Sequence, residues 1–164
     1  MASTTETKQH LFDVLKGFDT AMLVTHSSGN GLHARPMAVA ELRPGADMYF
    51  STSLQSPKIA EISSNPAVAV TFQSRSQFAS VYGNAYVVRD RALIERLWSE
   101  AWRVWFPGGK HDPSLCLIRV EAREAEYWDN AGTQGIKYVL EAVKAYAKGE
   151  TPAVDNNQNA KVGL

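Results

Sequence analysis

Residues 47–62 read DMYFSTSLQSPKIAEI, and the order of residue types in this stretch constrains the rest of the chain. Met48, Tyr49 and Phe50 make a short strand, which Ser51, Thr52 and Ser53 end in a run of hydroxyls. A helix is expected to start at Ser56-Pro57, because Ser suits the N-cap and Pro the first helical position. Lys58 then stands beside the positive end of the helix dipole, where acids are favoured. Free helix N–H groups, adjacent hydroxyls and a cation in that place resemble a site for an anion, phosphate foremost. The alternative is a lysine that bends away into solvent. The dipole term, about 0.3–1 kcal/mol, does not decide between the two.

Upstream, residues 5–17 set Leu11, Phe12, Val14 and Leu15 among polar residues, the pattern of a short amphipathic helix closed by Gly17. Residues 21–25 (AMLVT) read as a buried strand and 27–31 (SSGNG) as a hairpin turn. The return strand, 33–42, puts His33, Arg35, Met37, Val39 and Glu41 on one face. Pro36 cannot donate to a ladder, so it implies an edge position or a local irregularity. Residues 43–45 (RPG) turn the chain into the 47–62 stretch.

Downstream, Asn65-Pro66 stops the helix and 67–72 (AVAVTF) is the next strand, followed by a polar turn at 73–77. Residues 78–88 form a longer strand in which Gly83 marks a bulge or a close approach by another backbone or a ligand. Asp90 is expected to cap a helix whose apolar positions are Leu93, Ile94, Leu97, Trp98, Ala101 and Trp102. The segment 105–109 (WFPGG) breaks it, 115–128 is a last long strand and 134–148 a final helix. The tail 149–164 is low in hydrophobicity and is expected to be mobile unless a partner holds it, leaving 1–148 as one domain. About six strands, mostly antiparallel and tightly connected, with four helices and no βαβ repeat, indicate an α+β fold built on a split or closed small β-barrel.

Composition removes several function classes. In 164 residues, 45% hydrophobic content supports a substantial core, and 17 Lys plus Arg against 17 Asp plus Glu create no field for nucleic acid or an anionic membrane. Cys116 is alone and lies in the apolar run LCLIRV, so it reads as a small buried hydrophobe. His10, His26, His33 and His111 share no metal-ligand spacing, and no nucleophile elbow is present. Glu121, Glu124 and Glu126 lie along one strand and read as solvated edge charges. The opening MASTTETKQH lacks an apolar signal core and no run approaches the roughly 18 residues of a membrane span. The expectation is a cytoplasmic protein with no membrane and no nucleic-acid partner.

Two further features bear on the 47–62 stretch. Trp98, Trp102, Trp105 and Phe106 put four aromatics within nine residues. The first two belong to the apolar face of their helix. Trp105 and Phe106 follow the end of that periodicity and fit the core, a subunit interface or the wall of a site for a planar ligand. Pairing of the 33–42 strand with residues 48–50 would turn Arg35 toward Ser51, Thr52 and Ser53. There its planar fork and the point charge of Lys58 would clamp a phosphomonoester. A surface Arg beside Glu41 fits the composition equally well.

Several short segments then resemble one family in order and spacing. They are His33-Ala34-Arg35-Pro36-Met37, Tyr49-Phe50-Ser51-Thr52 with Ser56-Pro57-Lys58, and Asn65-Pro66 before AVAVTF. Val81-Tyr82-Gly83-Asn84-Ala85, Trp105-Phe106-Pro107-Gly108-Gly109 with Asp112-Pro113, and Glu126-Tyr127-Trp128-Asp129 complete the set. Together they resemble the pyridoxamine 5'-phosphate oxidase-like superfamily, and within it the bacterial general stress protein group that binds flavin. The resemblance implies a split-barrel homodimer with FMN, ahead of FAD or a deazaflavin, in a groove between subunits. It implies that Arg35 and Lys58 hold the flavin phosphate, and that groups of Arg35, Pro36, Met37, Phe50, Ser51, Thr52 and Ser53 line the phosphate and ring. Gln77 and Trp105 are further assignments of the same kind, Trp105 acting across the interface. The chain departs from true pyridoxamine phosphate oxidases, since its last 16 residues hold no Arg-x-His segment, and vitamin B6 oxidation is not expected. No side chain stands out as a catalytic acid or base, and the substrate is an unspecified small molecule. Three readings follow from this: a low-specificity flavin oxidoreductase, a non-enzymatic flavin binder that stores or senses the cofactor, and a barrel without flavin that serves as an interaction module.

Overall fold

Buried and exposed residues alternate through β1 (Thr20–His26), where Ala21, Leu23 and Thr25 point inward, the period of two that buries one face of a strand. The computed structural model describes residues 4–151 and 158–164. β2 (Leu32–Leu42) returns antiparallel to β1 after a turn closed by the Ser27 N–H donating to the Gly31 carbonyl at 2.9 Å. β3 (Met48–Ser53) pairs only with the far end of β2, residues 39–42. Pro36 therefore lies where β2 has β1 on one side and, among the described residues, no strand on the other. This is the edge position its missing N–H requires.

β4 (Ala67–Gln73), β5 (Gln77–Val88) and β6 (Leu115–Asp129) complete a closed ring in the order β1-β2-β3-β6-β5-β4, antiparallel throughout. This is the expected split-barrel α+β architecture. Leu23, Phe50, Val70, Val81, Ile118 and Tyr127 fill its interior. A second cluster, Tyr49, Ile94, Trp102, Phe106, Leu115 and Leu117, forms outside it. β3 has one cluster on each face, so Met48, Tyr49 and Phe50 are all buried and the stretch shows no polar alternation.

Gly83 behaves as a mid-strand glycine should. The β5–β6 register shifts between Tyr82 and Gly83, and a Cβ on Gly83 would stand 2.1 Å from the Glu121 carbonyl oxygen. The bulge and the close backbone approach are one feature.

The helices are peripheral. α1 (Thr4–Leu15) buries Leu11, Val14 and Leu15, and α2 (Pro57–Ser64) buries Ile62. α3 (Arg91–Leu97) starts on Asp90, whose side chain accepts from the Leu93 N–H at 3.2 Å. It does not continue to Trp102 as the periodicity suggests. Ser99 is extended, its hydroxyl accepts from the Ala101 N–H, and a separate 3₁₀ turn runs Glu100–Val104. A serine that caps a new segment competes with continuation of the old one.

α4 (Gly132–Lys148) follows β6. Beyond it lies a correction to the expected loose tail: Asn159–Gly163 form β7, antiparallel to β6, with Ala160 and Val162 buried around an exposed Lys161. β3 covers the same edge of β6 only as far as Val120. The remainder of that edge offers unpaired N–H and C=O groups, which Asn159–Gly163 satisfy.

Candidate functional site

The β3–α2 corner carries the chemistry that the 47–62 stretch suggested. Ser56 is extended and Pro57 occupies the start of α2, but the Ser56 hydroxyl makes no cap to the helix. It accepts instead from Lys58 Nζ at 2.6 Å, and the Thr52 hydroxyl accepts from the same ammonium at 3.1 Å. Lys58 is therefore folded back over the β3 end and does not extend into solvent. The first turn of α2 keeps N–H groups without a side-chain cap, directed at the same corner as the ammonium. Burial and the neighbouring Arg35 both depress the Lys58 pKa, burial more.

This corner opens on a groove of about 530 Å3 lined by Thr20, Pro36, Met37, Ala38, Ser51, Thr52, Ser53, Ser56, Lys58, Trp102, Trp105 and Phe106. One end is polar, with hydroxyls around one cation. The other is aromatic: Trp102 and Phe106 are buried in the outer cluster and Trp105 is 78% exposed. Among the described residues, Lys58 is the one titratable side chain in this lining. The Cys116 thiol lies behind the corner, donating to the Thr52 carbonyl at 3.5 Å, and burial pushes it up to about 11.

Pro36, Met37, Ser51, Thr52, Ser53, Lys58 and Trp105, all picked out in the sequence, thus meet in one groove. Three other residues do not line it. Phe50 is fully buried in the barrel interior. Gln77 donates to Asp129 Oδ1 at 3.1 Å, and the other Asp129 oxygen is 3.0 Å from His10 Nε2. Arg35 Nη2 donates to Glu61 Oε2 at 2.8 Å, and Nη1 donates to the Thr25 hydroxyl. Thr25 and His33 complete that network, each 2.6 Å from a Glu61 oxygen. The Thr25 bond leads, ahead of His33 and Arg35, in holding the Glu61 carboxyl down at about 2. Sequence reasoning missed Glu61, although its place one turn after Lys58 puts it on a neighbouring line of the helix surface.

The groove sits at the rim of an unusual surface. On the outer face of β2, β1, β4 and β5, cross-strand neighbours include Pro36 beside Met22, Met22 beside Thr71, Val24 beside Ala69 and Ala69 beside Tyr82. Thr20, Pro36 and Ala38 belong both to this face and to the groove lining. From Ala34 to Ala38 on β2 and across to Tyr82 on β5, the outward positions hold no Lys, Arg, Asp or Glu. Among the described residues, no helix is long and apolar enough to cross a membrane and no three His, Cys, Asp or Glu side chains converge as metal ligands.

A sequence profile described as pyridoxamine 5'-phosphate oxidase-like matches residues 6–153. The chain belongs to the pyridoxamine 5'-phosphate oxidase-like family. Within it, general stress protein 26 of Bacillus subtilis is 29% identical over 130 residues, covering 76% of this chain and 89% of that one. Protein bli-3 of Neurospora crassa is 31% identical over 119 residues, 65% of this chain, and the match spans only 57% of the fungal protein. Among solved structures, a general stress FMN/FAD-binding protein of Xanthomonas citri superposes with a TM-score of 0.67 at 32% identity, covering 78% of this chain and 92% of that one. A general stress protein 26 of Jannaschia sp. covers 98% of this chain and 99% of its own, with a TM-score of 0.75 at 24% identity, and speaks for the fold alone.

Proposed function

We propose that this chain is a flavin-binding protein of the general stress type, holding FMN in the β3–α2 groove. The observation that carries the reading is the Lys58 ammonium bonded to Thr52 and Ser56 beside the uncapped start of α2. The residues present fit such a cofactor. A phosphomonoester would take the place of those hydroxyl contacts, meeting one cation and helix N–H groups. A flat ring fits the end walled by Met37, Trp102, Trp105 and Phe106. FMN is preferred to FAD because one ammonium and one helix start match a single terminal phosphate. The related Xanthomonas citri protein, described as FMN/FAD-binding, supports a flavin.

When bound, the flavin supplies hydride and electron transfer, and the protein supplies placement and electrostatics. Lys58 holds a positive charge at the phosphate end and Trp105 shields one side of the groove. Among the described residues no carboxylate or imidazole lines the groove, and its one titratable side chain, Lys58, is engaged at the phosphate end, so proton transfer to a substrate has no dedicated acid or base. This favours either a low-specificity oxidoreductase or a flavin carrier over an enzyme with a dedicated substrate. The uncharged sheet face bordering the groove supports a homodimer in which a second copy covers that face and closes the groove.

The test is the visible spectrum of the purified protein, with mass spectrometry of any released chromophore and a titration of apoprotein with FMN and FAD. Flavin absorbance with tighter binding of FMN is expected. A colourless protein whose fluorescence and melting temperature ignore added FMN overturns the reading. Reoxidation of the reduced flavin no faster than that of free FMN assigns the carrier role over the oxidoreductase.

A further inference from the structure

α4 turns its apolar side away from its own chain. Ile136, Val139, Leu140, Val143 and Tyr146 recur at steps of three and four, so they fall on one stripe of the helix. Each of the five is between 56% and 89% exposed. The opposite side faces the protein, with Ala145 buried and Glu141 and Ala142 half-buried. Among the described residues no other element packs broadly on α4. An amphipathic helix gets most of its stability from burial of its apolar face, and this one leaves that face in water.

The charges on α4 are ordered as well. Gly132–Lys148 holds three lysines and one glutamate. At about 100° per residue, Lys137, Lys144 and Lys148 fall within about 40° of one another, along one edge of the stripe. Glu141 is bonded to Lys144 at 2.8 Å, and Glu150 lies past the Gly149 cap. The balanced total of 17 basic and 17 acidic residues therefore hides a local cationic edge. Whole-chain neutrality removes attraction at long range, but a contact closer than the Debye length, about 8 Å at physiological salt, depends on the nearby charges.

Apolar residues on one side, lysines along one margin and a tyrosine at the other form the pattern of a helix lying in a bilayer interface. The long lysine stems reach back to headgroup level, and the Tyr146 ring has an apolar body with a hydroxyl for the wet boundary. Among the described residues no helix is long and apolar enough to cross a membrane, so the contact is with one surface. A second α4 is a poorer occupant. Antiparallel pairing by a two-fold axis would set the lysine edge beside its own copy, like charge against like. An anionic lipid surface meets the apolar stripe and the cationic edge together.

We propose that α4 docks on an anionic phospholipid surface. Ile136, Val139, Leu140 and Val143 enter the acyl boundary, and Lys137, Lys144 and Lys148 meet the headgroups. The inference goes beyond the flavin reading and does not depend on it.

Co-sedimentation of the full chain with vesicles tests it, using three parts phosphatidylcholine to one part phosphatidylglycerol and, beside it, phosphatidylcholine alone. Wild type is expected to pellet with the anionic vesicles at least ten-fold more strongly than with the neutral ones, and to be released by high salt. Lys137→Gln/Lys144→Gln/Lys148→Gln should weaken partition about five-fold per lysine. Val139→Glu/Val143→Glu should abolish it with circular dichroism retained. Should that variant lose helix, the lysine variant, which removes no apolar contact, carries the test. Tyr146→Trp gives a separate readout, a blue shift of its emission on anionic vesicles. No pelleting of wild type overturns the proposal, and so does equal partition on the two compositions. Pelleting that survives both the stripe and the lysine variants assigns binding to another surface and rejects α4. A stripe variant that lowers the mass in solution, with no vesicle binding by wild type, assigns the stripe to a protein contact instead.

Discussion

Glu61 Oε2 receives the Arg35 guanidinium at 2.8 Å and so ties β2 to α2 directly behind Lys58. The same carboxylate accepts from the Thr25 hydroxyl and stands 2.6 Å from His33 Nδ1. Arg35 is therefore committed to an internal partner, and its influence on the groove reaches Lys58 through space. A stability consequence follows. The fold holds the Glu61 carboxyl at about 2 against an ordinary 4.5. As pH falls, the unfolded chain takes up that proton first. The contribution is complete above about 4.5 and is lost as the pH approaches 2. Urea midpoints measured from pH 6 to 2.5 should fall for wild type and fall less for Glu61→Gln, which starts lower. Parallel curves would show that Glu61 does not carry this dependence.

Lys58→Ala should weaken FMN binding about ten- to a hundred-fold, the equivalent of a charge-assisted hydrogen bond of about 1.5–3 kcal/mol. Lys58→Arg should recover part of that loss. Arg35→Ala acts through the Glu61 network and should lower the melting temperature as well as the affinity. Quenching of flavin fluorescence on titration reads the first effect and thermal melts the second.

Trp105→Ala separates binding from folding. At 78% exposure the indole contributes little to the core, so the change in stability should stay within about 0.5 kcal/mol. Loss of an aromatic contact worth about 0.5–1.5 kcal/mol should cost FMN about two- to ten-fold in affinity. An unchanged dissociation constant would remove Trp105 from the site.

Gly83→Ala should destabilise the barrel by at least about 1–3 kcal/mol, since the added methyl meets backbone at 2.1 Å and no side chain can yield. Chemical denaturation reads this directly, and the flavin affinity of the fraction that remains folded should be unchanged.

Much of this was legible in the chain. Short apolar runs bounded by turn residues, with alternation in 33–42, located the barrel strands, Pro36 marked an edge or irregularity, Gly83 marked a bulge or close approach, and a lysine at the start of a proline-led helix marked the groove. These signals are local: each depends on a residue's own backbone freedom or on neighbours within one turn or one strand. The break at Ser99 was harder to see, because apolar spacing of three and four continues through it while the serine caps a new turn.

The sequence by itself determined the six barrel strands, the hydroxyl-and-cation corner at residues 51–58, and membership in the pyridoxamine 5'-phosphate oxidase-like family. Only the tertiary structure decided the partners. Arg35 faces Glu61 and Thr25 because strand register and the placement of α2 bring three distant segments together. Asn159–Gly163 become a strand because β6 runs past the end of β3 and leaves an open edge. A local pattern can specify an element, but a hydrogen-bond partner far along the chain exists only once the sheet has closed.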